Sequence, residues 1–220
     1  MRILFCNIAW MDYYKGIILG KDEPKNGGSY VAKYNDAGEQ YNFQPVSLTN
    51  DNSEYPDGDY CLGFVMTKST NGQDDNQLNI DKIEGCNALK NETEANDVLV
   101  IYCAKYPDSS TNETYVVGWF RHATVYRDYQ YIDLSDGYSR YYNAIAKKED
   151  CVLLPRPIRR KSNRWWIPRK RAGTSYGFGQ SNVWFAQKSE DNPALKQFLN
   201  NIIKQIELYS DENWVDKEMP

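Results

Sequence analysis

Two stretches decide the fold of this chain: Asp97–Lys105, DVLVIYCAK, and Tyr115–Arg127, YVVGWFRHATVYR. The first is a continuous apolar run rich in β-branched residues, the pattern of a buried strand. The second reads as a strand, a break near His122 and a second strand. Alternation along that strand puts Val117, Trp119 and Arg121 on one face and Gly118, Phe120 and His122 on the other. If only one face meets a core, Trp119 and Phe120 have different fates. Arginine is rarely fully buried unless paired, and Arg121 shares the face of Trp119. Trp119 is therefore expected on an open, pocket-forming face and Phe120 in the core.

Working outward, Arg2–Ala9 reads as a first strand. Ser29–Lys33, after the Asn26-Gly27-Gly28 turn, reads as a short strand or a helix start. Tyr60–Thr67 is strand-like, and Leu78–Ile83 is a weak strand or sheet edge. Tyr141–Ala146 and Cys151–Leu154 are expected to form a hairpin turned by Lys147–Asp150, KKED. Pro155 and Pro157 then stop regular structure. The last element, at about 192–209, is a helix. Asp191 or Asn192 caps it, Pro193 suits its first turn, and Leu195, Phe198, Leu199, Ile202, Ile203, Ile206 and Tyr209 form its apolar face. Eighteen tyrosines tilt the rest toward strands. These elements predict a single α+β domain over residues 1–220, a mixed β-barrel or strongly curved sheet closed by a C-terminal packing helix.

The charge pattern points to a partner. Arg156–Arg171, RPIRRKSNRWWIPRKR, holds eight Arg or Lys residues and no acid, with Trp165 and Trp166 among them. The whole chain carries a formal −4, so everything outside this strip carries about −12. A basic aromatic strip on an acidic body suggests a local polyanion partner. The plainer reading is a solvated loop whose cations pair with that body. Adjacent Trp165 and Trp166 on a strand cannot both face inward, so one is a surface candidate.

Other classes find little support. No run approaches the ~20 apolar residues of a membrane span, and the N-terminus lacks a signal-peptide pattern. A cytoplasmic location is expected. The five cysteines are scattered, without C-x-x-C spacing, and read as reduced structural thiols. The single histidine, His122, excludes a two-histidine metal site. Gly177–Asn182, GFGQSN, lacks the Lys-Ser/Thr end of a phosphate loop. No metal, cofactor or catalytic residue is expected, and the chain reads as a binder. Trp10, Tyr13, Tyr14, Trp119, Phe120, Trp184 and Phe185 are candidates for stacking on flat groups, although core packing claims at least half of such rings.

MRILFCNIAWMDYYKG, NGGSY, YVVGWFRHATVYR and FGQSNVW together resemble the N-terminal reader region of bacterial restriction-like and defence-associated proteins. That region is similar to the EVE branch of the PUA-like superfamily, which includes YTH and ASCH domains. The resemblance is one of pattern and runs over most of the chain. It implies a PUA-like mixed barrel that binds DNA, or RNA, through a modified base, such as a modified cytosine, flipped into an aromatic pocket. It further implies a separate effector or nuclease domain or subunit that does the cutting. On that basis Trp10, Tyr30 and Trp119 would stack on the base, and Asn7 and Ser29 would read its edge. Arg159, Arg160, Lys161, Arg164, Arg169, Lys170 and Arg171 would contact phosphates. The alternatives are a protein-interaction module of a bacterial defence system and a nuclease with an unrecognised site.

Overall fold

The computed structural model describes residues 1–27, 38–51, 53–67, 77–108, 113–134, 137, 139–170 and 174–219. Its strands are β1 (Arg2–Ile8), β2 (Pro45–Leu48), β3 (Gly58–Gly63), β4 (Glu94–Lys105), β5 (Thr114–Asp133), β6 (Ser139–Lys147), β7 (Cys151–Leu153), β8 (Trp166–Ile167) and β9 (Val183–Trp184), followed by helix α1 (Pro193–Glu207). They make one nine-stranded mixed sheet in the order β2-β3-β6-β5-β4-β1-β9, with β7 and β8 added along β5. Only β1 and β4 pair in parallel; the other ladders are antiparallel. The chain is therefore α+β, as expected. The sheet is open rather than closed into a barrel, with β2 and β9 at its two edges.

β5 is twenty residues long and organises the sheet. One edge pairs with β4. The other takes β8 at Thr114–Tyr115, β7 at Gly118–Phe120 and β6 from Thr124 to Asp133. β6 and β7 therefore do not form a hairpin with each other. The Lys147–Asp150 stretch steps sideways through a short 3-10 turn, Lys148–Asp150, and both strands continue along the same edge of β5. The break expected at His122 is a left-handed residue (φ 49°) inside a continuous strand, facing left-handed Asp97 (φ 56°) where the β4–β5 register shifts. Leu78–Ile83 also differs from expectation. It carries a 3-10 turn, Ile80–Lys82, that seats Leu78, Ile80 and Ile83 in the core.

Both faces of the central strands are buried. Leu4, Cys6 and Ile8 of β1 and Val98, Val100, Tyr102 and Ala104 of β4 face one core, with Met11, Tyr14, Phe43 and Trp214. Ile3, Phe5, Leu99, Ile101 and Cys103 face the other, which α1 covers with Leu195, Leu199, Ile202 and Ile206. Asn192 caps α1 by accepting from the Leu195 N–H (3.1 Å), with Pro193 opening its first turn. Among the described residues no helix is long and apolar enough to cross a membrane.

This two-sided burial corrects the expectation for Trp119. Along β5, Tyr115 and Val117 face the first core and Val116 the second. Tyr102 then pairs with Gly118 and Cys103 with Val116, so Val117 is an extra residue and the alternation slips. Past this bulge Phe120 joins the first core and Trp119 the second. Gly118 sits where a methyl group would collide with the Val152 carbonyl oxygen and the Phe43 ring. Trp119 is 0% exposed, stacked on Trp165 (5.5 Å between centroids) and edge-on to Tyr209 (5.3 Å). It is a core residue between sheet and helix, not a pocket wall.

Trp119→Ala is therefore expected to lower stability by about 3–5 kcal/mol, and Ile202→Ala, in the same core, by about 2–5 kcal/mol. Urea denaturation followed by circular dichroism checks both. A Trp119→Ala protein as stable as the parent would show that helix and sheet do not close on this ring.

Candidate nucleic-acid interface

The basic strip leaves β7 at Leu154 and Pro155 and turns through two short 3-10 segments, Arg156–Ile158 and Lys161–Asn163. Ser162 (φ 60°) and Asn163 (φ 52°) are left-handed and redirect the chain. It returns to the sheet as β8, where Trp166 pairs with Tyr115 and Ile167 with Thr114. Strand alternation then separates the tryptophans. Trp165 is buried on Trp119, whereas Trp166 is 41% exposed.

The cations of the strip fall into distinct environments. Arg159 is 0% exposed. Its guanidinium donates to the carbonyl oxygens of Leu154 (2.9 Å), Met11 (2.6 Å) and Asp12 (2.7 Å). Burial lowers its pKa, while nearby Tyr14, Asp12 and Asp22 oppose that shift. Arg159 thus clamps the loop after β1 onto the strip and has no surface to offer a phosphate, which corrects its expected role. Arg156 pairs with Asp12 at 3.0 Å. Arg169 is half-buried and braces two strands, donating to Thr114 Oγ1 (2.7 Å) and Asn7 Oδ1 (2.9 Å).

Arg160, Lys161, Arg164 and Lys170 point outward and are exposed. Among the described residues no carboxylate pairs with any of them. Arg160 lies over the Tyr106 ring at 3.8 Å. Hydrogen bonds to the Tyr115 and Tyr106 hydroxyls hold its pKa above the ordinary arginine value. Arg164 donates to Gln205 of α1 at 3.2 Å. Among the described residues the strip thus presents four cations without a carboxylate partner, and the Trp166 ring, to solvent on a backbone anchored by Arg159, Trp165 and Ile167.

The proposed base-binding residues converge less well. Asn7 is the last residue but one of β1, and its backbone N–H donates to Asn182 O (2.7 Å) while its side-chain oxygen takes the Arg169 bond. Trp10 is buried in the first core, edge-on to Tyr106 at 5.2 Å, with the Arg159 guanidinium 5.2 Å from its ring. It shows no open face, for the same reason as Trp119: both faces of the sheet are covered. Asn7, Trp10 and Arg169 do share one end of the sheet, and Trp119 belongs to the opposite core. Ser29, Tyr30 and Arg171 lie outside the described residues.

Sequence reasoning named Trp184 and Phe185 as aromatic candidates but gave them no place in a site. They line a cleft of about 470 Å³, together with Tyr176, Lys170 and Lys188. The signal was present in the short run from Tyr176 to Lys188, where aromatic and basic residues flank the glycine-rich turn. Gly177 (φ 118°) packs so tightly on Pro168 that a methyl group there would strike the Pro168 carbonyl. That contact joins the cleft to the end of the strip. As for catalysis, His122 Nδ1 lies 2.8 Å from Asp97 Oδ1 on an exposed bulge, and all five cysteines are buried and free. No protein-family model, curated protein or solved structure matches the chain.

Arg159→Met is expected to lower stability by at least about 2 kcal/mol, because three carbonyl oxygens, two of them buried, lose a charged donor. Arg160→Met should stay within about 0.5 kcal/mol of the parent, as surface changes do. Urea midpoints for the two variants check the contrast; equal midpoints would return Arg159 to the surface.

Proposed function

We propose that this chain is a nucleic-acid-binding module, a PUA-like reader of the EVE type, that works in the cytoplasm. One observation carries the reading: Arg160, Lys161, Arg164 and Lys170 stand exposed beside Trp166, with no carboxylate partner among the described residues. An acidic body that merely solvated its basic loop would pair with those cations. Among the described residues of the strip, Arg156 alone forms a salt bridge with an acid. Unpaired cations next to an exposed ring suit a phosphate backbone with bases alongside it. The five buried free thiols fit a reducing compartment.

DNA carrying a modified base is the proposed ligand, with Asn7 and Arg169 at the edge-reading end of the sheet. Cutting, where it occurs, belongs to an effector or nuclease partner. A second reading, a protein-interaction module, draws on the cross-strand pair Tyr131 and Tyr141, which are 51% and 62% exposed with ring centroids 5.0 Å apart.

Fluorescence anisotropy with labelled duplexes over a salt series tests the proposal. Replacing Arg160, Lys161, Arg164 and Lys170 together with Ala should weaken binding to any sequence. It should also flatten the dependence of log K on log salt by about 0.9 for each lost phosphate contact. Unchanged affinity and slope would remove the strip from the interface and leave the protein-interaction reading in front. Duplexes with and without modified cytosine address recognition. Tighter binding to the modified duplex is expected, and equal affinity would leave a module that holds nucleic acid without reading the modification.

A further inference from the structure

The cleft beside the strip is built differently from the rest of the surface. Its walls are β9 with the following Phe185–Lys188 segment, the N-terminal end of α1 at Asn192 and Leu195, and the Ser175–Gly177 turn. Trp184 is held from behind, stacked on buried Phe5 at 4.6 Å and 26°, with Phe198 at 6.0 Å. Tyr176 lies nearly parallel to Trp184, at 6.4 Å and 22°. These two rings and Phe185 are only half-buried. They form a fixed aromatic wall that is left partly open to water.

Two features narrow what such a wall could hold. The first is charge. Lys170 and Lys188 flank the cleft, both exposed, and no carboxylate among the described residues pairs with either. Asp191 also lines it, so the cleft carries a small positive balance rather than a purely cationic field. The remaining polar groups, Ser175, Gln187 and Asn192, are neutral donors and acceptors. The second is backbone form. Ala186 (φ 49°) and Lys188 (φ 62°) are both left-handed without being glycine. Such residues persist where surrounding structure imposes them, often around ligand sites. A volume near 470 Å³ suits a small ligand or one residue of a polymer.

We propose that this cleft is a stacking site for one unpaired base of the nucleic-acid strand that the strip holds. The base lies against the Tyr176–Trp184–Phe185 wall, and its phosphates meet Lys170 and Lys188. The inference rests on the nucleic-acid reading, because Lys170 belongs to both surfaces and makes the cleft the natural continuation of the strip. It adds to that reading a preference for single-stranded or locally opened nucleic acid.

Binding of a short fluorescent single-stranded oligothymidine and of a plain duplex, each to the full chain, forms the test. Tyr176→Leu keeps apolar bulk but removes a π face. Lys188→Asn removes the charge at a left-handed position that asparagine tolerates. Tyr176→Leu should weaken single-strand binding roughly 5- to 150-fold, equivalent to about 1–3 kcal/mol for one stacked base, with Lys188→Asn acting in the same direction. Duplex binding should hold within about twofold, as expected if stacking serves only unpaired bases. Single-strand affinity unchanged in both variants overturns the cleft proposal, as does an equal loss for single strand and duplex. Failure of the strip itself reads out separately, as duplex and single-strand affinities that the fourfold alanine variant leaves untouched.

Discussion

Burial of the first part of β5 on both faces is the constraint from which most of this structure follows. Over residues 114–120 this strand is covered on one side by the loop after β1 and on the other by α1, and has no face to give to a ligand. On the nucleic-acid proposal, recognition would fall to the segments laid along the strand's edge away from β4. The edge is filled by β6, β7 and β8 in turn, so the chain linking β7 to β8 must run along the outside. That link is the basic strip. Its short β8 ladder fixes which tryptophan turns inward, and Trp165 goes under α1 while Trp166 remains in solvent. The bulge at Val117–Gly118 matters for the same reason: it puts Trp119 opposite Trp165 and Phe120 opposite Tyr102, so that each core receives a large ring.

Arg159 shows why a run of like charges cannot be read as one surface. A guanidinium is planar, stays charged and offers five donors in a fixed fork. Three backbone carbonyls that point at one spot are a suitable mate, and Leu154, Met11 and Asp12 supply them. The clamp ties the end of β7 to the loop that follows β1, two segments far apart in sequence. Its neighbours then gain a fixed scaffold: Arg160 leaves the chain one residue later and rests on Tyr106, which touches Trp10, itself close to Arg159. Arg159 thus serves structure, as Arg169 does in bracing β1 and β5, and the outward-facing cations inherit their positions from the clamp.

The strands that carry long apolar runs, and the capped amphipathic helix, were legible because their signals are local: residue type, period and cap. The misreadings all depended on something non-local. Whether β6 and β7 pair with each other or with a third strand depends on the length of β5, which KKED does not encode. Leu78, Ile80 and Ile83 look like a strand by composition, and a 3-10 turn buries the same three residues. The face of Trp119 followed from strict alternation and a one-sided sheet; a bulge broke the first premise and α1 the second. Arg159 looked like its neighbours because charge is visible in sequence and a convergent set of carbonyls is not. The cleft at Trp184 needed the meeting of β9, the Gly177 turn and the start of α1, three pieces that only the fold brings together.

Part of the acidic body lies away from the strip. Asp57 and Asp59 sit by the β2–β3 connection and are engaged locally, accepting from Asn50 N–H (2.8 Å) and Ser47 Oγ (2.6 Å). β2 is an edge strand, and β6 separates β3 from β5, along which the strip is laid. These two aspartates therefore lie toward the β2 edge, with β6 between them and the strip. On the nucleic-acid proposal, a polyanion would be drawn to the strip and repelled by the net-negative remainder, which would orient the encounter before any short-range contact forms. On the same proposal the net negative charge of the chain would have a physical use: it would confine a polyanion to the strip, where a ring and an aromatic cleft lie beside the cations.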